Sequence, residues 1–397
     1  MNKKLGLAVA GALLAASTTA SAGITIPAGD WTVDIGGVVN AYYTSTNVTN
    51  GGLGYGALWT QNDSLNSTAS TAKTQSNITT GLLPNYLSVS GKSRQNDLDI
   101  GFTISINPGA STRQAGIQSS NQENRQAFLT IGDASWGSVK LGKDLGIFAS
   151  NAILNDMTLL GVGSGATLAG NTTTTGRIGT GFMYADWKSQ VSYTSPNWNG
   201  FQFTAGVTQA WNAIGGSVST TSHNRGGAAP AFEGQASYSF TADQVNGKVW
   251  VGGITQKVDG VNDRAEAFDV GANVNFAGFG LTGYYYDGSG IGQTVQLYNG
   301  FDTSKKARDS NGGYVQATYT LPTSTKVGVS WGQSNLDKNS SGDTMATDLT
   351  DEMWTVGVYH PLTKSVNLVA EYSDVKSEYN NAEGKARTVA LGAILFF

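Results

Sequence analysis

From Leu98 to Ile106 every second residue is large and apolar: Leu98, Ile100, Phe102, Ile104 and Ile106, set against Asp97, Asp99, Thr103 and Ser105. A period of two places these sets on opposite faces of a strand. The alternation recurs along the whole chain, in about sixteen segments of about ten residues, from Trp31–Tyr43 to Arg387–Phe397. The linkers between them run long, short, long, short. Short ones lie near Ser93, Asp133, Pro196, Ala242, Ala277, Pro322 and Pro361. Long ones lie near Gly51, Ser111, Gly161, Ser219, Asp259, Thr294, Ser340 and Asn381. An up-and-down barrel with an even strand number and loops of different length at its two ends predicts this order. A sandwich whose chain crosses between sheets does not.

The last segment makes closure necessary. Val389, Leu391, Ala393, Leu395 and Phe397 share one face. A free edge strand ending in two phenylalanines is a poor edge in water. Pairing it with Trp31–Tyr43 removes the edge and closes the wall.

Composition decides what surrounds that wall. Charged residues are only 13% of the chain, about half the share of a soluble domain, while glycine reaches 53 residues and proline only 7. No later stretch holds about 18 consecutive apolar residues, so no membrane helix is expected. A chain that spans a bilayer without helices must do so as a closed barrel, because backbone groups facing lipid have no other partners. Lys3 and Lys4, the apolar run Leu5–Ala16 and the small residues Ala20-Ser21-Ala22 form a signal peptide over 1–22. One all-β domain, a transmembrane antiparallel barrel over 23–397, follows it. Losing Lys3 and Lys4 moves the net charge from −4 to about −6. A mildly acidic exported chain carries no nucleic-acid footprint. With no cysteine, disulfide scaffolds and thiolate metal sites are excluded.

The runs Asn124-Arg125-Gln126-Ala127-Phe128-Leu129 and Trp136-Gly137-Ser138-Val139-Lys140-Leu141-Gly142-Lys143 resemble the Gram-negative porins, especially the general trimeric porins of proteobacteria. So do Tyr193-Thr194-Ser195-Pro196, Asn199-Gly200-Phe201 and the terminal Phe397. The resemblance spans the mature chain. It implies a homotrimer of sixteen-stranded barrels in the outer membrane, surrounded by lipid and lipopolysaccharide, passing small polar solutes and ions. It implies no cofactor, no metal and no enzymatic activity. It also implies a long third loop folded into the lumen, here about Lys143 to Gly181, whose Ile147, Phe148, Ile153, Leu154, Met157, Leu159 and Leu160 need somewhere to bury. That loop departs from the enteric pattern. It lacks a Pro-Glu-Phe-Gly-Gly motif, and its carboxylates are Asp144 and Asp156 alone, so a cation preference is not expected.

Lining candidates follow from parity and position: Arg125, Lys140 and Lys188 on the wall, Asp144 and Asp156 on the loop. Opposed charges across a narrow gap orient dipolar solutes. The plainer alternative for each is a solvated lumen charge without selective role. Asp34, Asp99, Glu233, Asp269, Lys326 and Glu371 also have inward parity. The alternative within transport is a channel selective for organic acids or sugars, and Tyr284 and Tyr286 suggest either an aromatic track for sugars or rim aromatics. Acid–base catalysis would recruit histidine. The only two, His223 and His360, have no nucleophile motif beside them. A surface adhesin is the remaining class, since the Asn-, Thr- and Gly-rich loops permit partner binding. Asp348, Asp351 and Glu352 are carboxylates without a known calcium spacing.

Overall fold

A computed structural model describes residues 23–49, 74–111, 122–167, 173–213, 229–339, 343, 345 and 347–397. Every wall strand runs antiparallel to its neighbours. β1 is Ile24–Ala28, β2 Trp31–Thr49, β3 Thr74–Thr79, β4 Tyr86–Gln95, β5 Leu98–Pro108, β6 Gln122–Glu123, β7 Ala127–Asp133 and β8 Gly137–Leu145. Two short strands, β9 Ser164–Thr167 and β10 Thr174–Gly176, form a hairpin apart from the wall. The wall resumes with β11 Trp187–Thr194, β12 Phe201–Thr208, β13 Ala231–Ala242, β14 Val245–Lys257, β15 Arg264–Phe276 and β16 Phe279–Ser289. It ends with β17 Asp309–Thr320, β18 Lys326–Leu336, β19 Leu349–Pro361, β20 Val366–Tyr379 and β21 Ala382–Phe396. Of the nineteen strands in this sheet, β1, β3 and β6 prolong others, which leaves sixteen wall positions.

Closure is made by the two ends of the chain. β21 pairs with the upper part of β2, for example Val39 with Leu395. Where β21 stops, β1 takes over against the lower part, Ile24 opposite Ile35. Gly37 joins them: its N–H donates to the Phe397 carbonyl at 2.8 Å, and the Phe397 N–H donates back at 3.1 Å. The long strands of the wall thus close on each other without a free edge running its full height.

Alternation decides which side chains meet which medium. Val39, Tyr43, Leu129, Val191, Val251, Val270, Leu281, Val329 and Leu391 point outward and are exposed. Their neighbours Val38, Tyr42, Phe128 and Tyr284 point inward and are buried. Aromatics crowd the outer face near the short turns, where Phe276 stacks on Phe279 at 5.7 Å and Phe279 tilts against Tyr319 at 4.6 Å. An apolar band edged by aromatics is the lipid-facing surface of a membrane barrel. Two of the short turns are two-residue types that need positive φ: Asn96-Asp97 (48° and 62°) and Ala277-Gly278 (47° and 84°).

Two linkers differ from the expected pattern. The linker at Asn381 is not long. β20 and β21 continue to Tyr379 and Ala382 and meet at Asn380-Asn381, both with positive φ, which asparagine tolerates. The stretch before Pro84 is not wholly a surface loop. β3 pairs with β2, and Leu82 and Leu83 then turn into the interior. β11 begins only at Trp187, because Asp186 has a φ of 58° that breaks the extended run. Trp187 is buried under Arg125, 5.7 Å from the guanidinium carbon. In β7 Leu129 points outward and Phe128 inward.

Candidate functional site: the inner segment and the charges around it

After β8 the chain leaves the wall and returns to it at β11, and of this segment residues 146–167 and 173–186 are described. They hold a short helix, α1 (Ser150–Asn155), a 3-10 turn over Met157–Leu160, and the β9–β10 hairpin. Phe148, Ala152, Val162, Ile178, Phe182 and Met183 are almost fully buried and form the main hydrophobic cluster with inward residues of the wall, including Val38, Tyr42, Tyr284 and Tyr314. Apolar side chains in this segment are thus removed from water by the wall's inner face.

Carboxylates on three separated strands hold the backbone of the segment. Glu233 on β13 accepts the N–H groups of Ile147 at 2.8 Å and Phe148 at 2.9 Å through one oxygen. Asp269 on β15 accepts from Ala149 N–H at 3.2 Å. Glu371 on β20 accepts from Val162 at 2.7 Å and Gly163 at 2.8 Å. Amide and hydroxyl groups complete the attachment. Gln316 accepts from Met157 N–H at 2.6 Å, Tyr314 OH donates to the Ala152 carbonyl at 2.8 Å, and Tyr42 OH donates to the Leu160 carbonyl at 2.8 Å. An ionised acceptor on a buried N–H is among the stronger hydrogen bonds available.

Each expected lining charge has a partner. The Lys188 ammonium is fully buried, with Glu233 at 2.5 Å and Gln296 at 3.0 Å. Lys140 pairs with Asp144 and lies 4.8 Å from the Phe128 ring centroid. Asp144 also accepts from Gln126 at 3.0 Å. It belongs to β8 and not to the loop, because β8 runs on to Leu145 opposite Trp187. Arg125 is buried between β6 and β7, donating to Glu123 at 2.8 Å and covering Trp187. Asp156 is buried in the inner segment. It caps the 3-10 turn by accepting from Thr158 N–H at 3.1 Å, and Arg177 Nε lies 3.7 Å away. Burial pushes the Asp156 carboxyl up, against the pull of that guanidinium and of Thr158.

Arg177 carried no sequence signal in its Gly-Thr surroundings. It donates to the Met353 carbonyl at 3.0 Å and to Ser330, tying the segment to β18 and β19. Tyr286 and Tyr314 each pack tilted against Tyr284, with centroids 6.4 and 5.8 Å away, but all three are buried. They support the inner segment and offer no open aromatic track. Asp351 and Glu352 are neighbours on β19 and point to opposite faces, and among the described residues no three potential metal ligands come together. His360 contacts Thr325 at 2.9 Å near a short turn, and His223 lies outside the described residues.

Two inward lysines differ from the rest. Lys248 on β14 donates to the Asn151 side chain at 2.7 Å. Lys326 on β18 sits 5.1 Å from the Tyr359 ring centroid. Among the described residues, neither has a carboxylate within ion-pair distance. The parity of Lys326 was readable from Val327 and Val329. That of Lys248 follows from Val249 and Val251, a signal present but unused.

The family model for Gram-negative porins matches residues 6–380. A search of curated protein sequences finds no match. Among solved structures, the anion-selective porin from Comamonas acidovorans is similar at 14% identity and a TM-score of 0.62, over 92% of this chain and all of that one. The outer-membrane channel DcaP of Acinetobacter baumannii is similar at 13% identity and 0.65, over 94% and 99%. Salmonella typhi OmpF, solved with daunomycin, is similar at 15% identity and 0.56, over 94% and 100%. At these identities the structures speak for the barrel, and the family match speaks for descent. A closed sixteen-stranded wall, an apolar outer band, and a match over nearly the whole sequence agree: this chain belongs to the Gram-negative porin family, the channel proteins of the outer membrane.

Proposed function

We propose that the chain is a general diffusion porin whose inner segment, residues 146–186, lies across the lumen and sets the width of a passive channel for small hydrophilic solutes and ions. The observation that carries this reading is the attachment of one segment to Glu233, Asp269 and Glu371, on strands spaced around the wall. A segment held at separated points leaves only the space it does not fill. A barrel of this strand number is otherwise wide enough for an aqueous channel. Solutes then cross by diffusion, sieved by that width and by the field of lining charges. The assembly is a homotrimer, as one of the similar structures is described as a trimer form. Lipid and lipopolysaccharide cover the apolar band, and residues 1–22 serve as the export signal. No enzymatic role is assigned.

Planar-bilayer recording and liposome swelling test this. The expected results are current steps in groups of three and swelling rates that fall steeply with solute size. Correctly folded protein that neither conducts nor admits sugars would sink the reading.

A further inference from the structure

We propose that the linker between β16 and β17 supplies a second determinant of pore width: residues 291–299 form a lid that seats on the neck of the inner segment from the external side, with Gln296 as its positioning residue. This rests on the reading of the inner segment as the element that sets that width.

The linker, residues 290–308, lies at the end of the barrel away from the short turns, which is the external end in such barrels. Its two ends touch. Gly290 N–H donates to the Arg308 carbonyl at 2.8 Å, and Arg308 N–H donates to the Gly300 carbonyl at 2.8 Å. Gly300 passes so close to Gly290 that a Cβ there would come 2.2 Å from its carbonyl oxygen. A stretch whose ends meet in this way is a compact loop packed by its own side chains. Here those side chains point into the barrel. Ile291 and Leu297 are almost fully buried and join the cluster that holds Phe182, Met183 and Tyr184 of the inner segment. Leu297 does so with a φ of 69°, a left-handed conformation that a leucine disfavours. Packing against the inner segment thus outweighs the local backbone preference.

The seat is the neck where the inner segment leaves β8 and rejoins β11, closed by Gly146 N–H donating to the Asp186 carbonyl at 2.7 Å. The wall carboxylates hold the outgoing limb, Glu233 at Ile147 and Phe148 and Asp269 at Ala149, and Glu371 holds Val162 and Gly163 further on. The returning limb, residues 178–185, is gripped differently. Ser334 accepts from Gly181 N–H at 2.9 Å at its far end. Nearer the neck the lid takes over. Tyr184 N–H donates to the Thr294 carbonyl at 2.9 Å, and the Gln296 amide donates to the Tyr184 and Ala185 carbonyls at 3.4 and 3.3 Å. The Gln296 oxygen accepts from Lys188 Nζ at 3.0 Å, and the same ammonium donates to Glu233 at 2.5 Å. One chain of contacts therefore runs from the outgoing limb through Glu233 and Lys188 to Gln296 and the returning limb. Removing the lid takes away partners of buried backbone groups at the neck. It also empties the space above the returning limb, into which that limb can rise.

The test compares liposome swelling in small and large sugars with open-channel noise in planar bilayers. Replacing residues 291–298 by Gly-Gly joins ends that already touch and keeps Asn299, whose carbonyl accepts from Arg308. This variant should admit a trisaccharide, relative to a monosaccharide, severalfold faster than wild type, and its open-channel current should be noisier. Gln296→Ala should do the same in smaller measure. Gln296→Glu keeps an acceptor for Lys188 but loses the donor to Tyr184 and Ala185, so it should behave like Gln296→Ala. Ser304→Gly, at the exposed tip of the same linker, should change neither readout. Tyr184→Cys combined with Val295→Cys puts two thiols at a bridged pair in a chain without cysteine. Oxidation of this variant should lower noise and trisaccharide entry together, and reduction should restore both, which decides the matter even if the shortened linker does not fold. A folded, conducting shortened variant with the size profile and noise of wild type, a formed disulfide that changes neither, or full wild-type behaviour of Gln296→Glu overturns the inference and leaves the diffusion channel standing. Folded wild-type protein that neither conducts nor admits sugars defeats both.

Discussion

The Glu371 carboxylate on β20 accepts the backbone N–H of Val162 at 2.7 Å, across 209 residues of chain. The same oxygen accepts from Gly163, and the other from Tyr359 OH at 2.6 Å. Gly161 lies so close that a Cβ there would come 2.1 Å from this carboxylate. Removing the acceptor leaves two buried N–H groups unsatisfied, at about 1–3 kcal/mol each. Glu371→Ala should therefore lower the temperature at which folded barrel is lost on gels, and should make the open-channel current noisier. Glu371→Gln keeps an acceptor and should do less of both. Gly161→Ala should reproduce the noise through the clash. If Glu371→Ala is as stable and as quiet as wild type, the attachment does not hold the segment.

Much of this architecture was legible because a strand states its geometry in a period of two. Leu98 to Ile106 could face only one way. Where two large apolar residues stand side by side, at Phe128 and Leu129, the period does not choose a face, and in the structure Phe128 lies inward against the Lys140 ammonium. The site was harder to read for a different reason. Glu233, Asp269 and Glu371 could be placed inward by parity, but their partners are backbone N–H groups, which every residue but proline carries. A carboxylate that clamps a backbone looks in sequence like one that lines a pore. Arg125 and Lys188 misled in the same way, since nothing near them in sequence announces that Trp187 or Glu233 will cover them.

The outer band sets a second expectation. Val270 lies at the middle of β15, points outward and is 46% exposed. An arginine at the bilayer midplane of such a barrel costs about 2–4 kcal/mol. Val270→Arg should reduce the yield of folded protein in lipid vesicles, whereas Val270→Leu should not. Equal yields for the two variants would mean that this face does not meet hydrocarbon.

Ala277 holds a φ of 47° in the turn between β15 and β16. The left-handed region costs an alanine roughly 1–2 kcal/mol, whereas asparagine enters it readily. Ala277→Asn should raise the thermal midpoint of the folded barrel by an amount worth about 1 kcal/mol. Conductance should not change, since the turn's backbone conformation is kept. A lower midpoint would show that the turn adopts another conformation.

The last expectation concerns acid. Arg308 is buried just before β17 and grips Asp343 with two nitrogens, Nε at 2.7 Å. Asp343 also accepts from the N–H groups of Asn339 at 3.2 Å and Met345 at 3.0 Å, and Arg308 donates to the Asn299 carbonyl at 2.7 Å. The pair thus joins the linker before β17 to the linker before β19. Burial alone would raise the Asp343 carboxyl, but the guanidinium and the two N–H groups outweigh it and bring it down to about 2. A depressed folded value means that the stabilisation is full above the unfolded value of about 4 and is lost as pH falls from there towards 2. Hydrogen exchange at Asn339 and Met345, whose N–H groups donate to Asp343, should therefore accelerate over that window, beyond the intrinsic pH effect. In Asp343→Asn the linkers should exchange faster at neutral pH and show no such step. An identical step in the variant would assign the transition to another carboxylate and separate this ion pair from the acid response of the linkers.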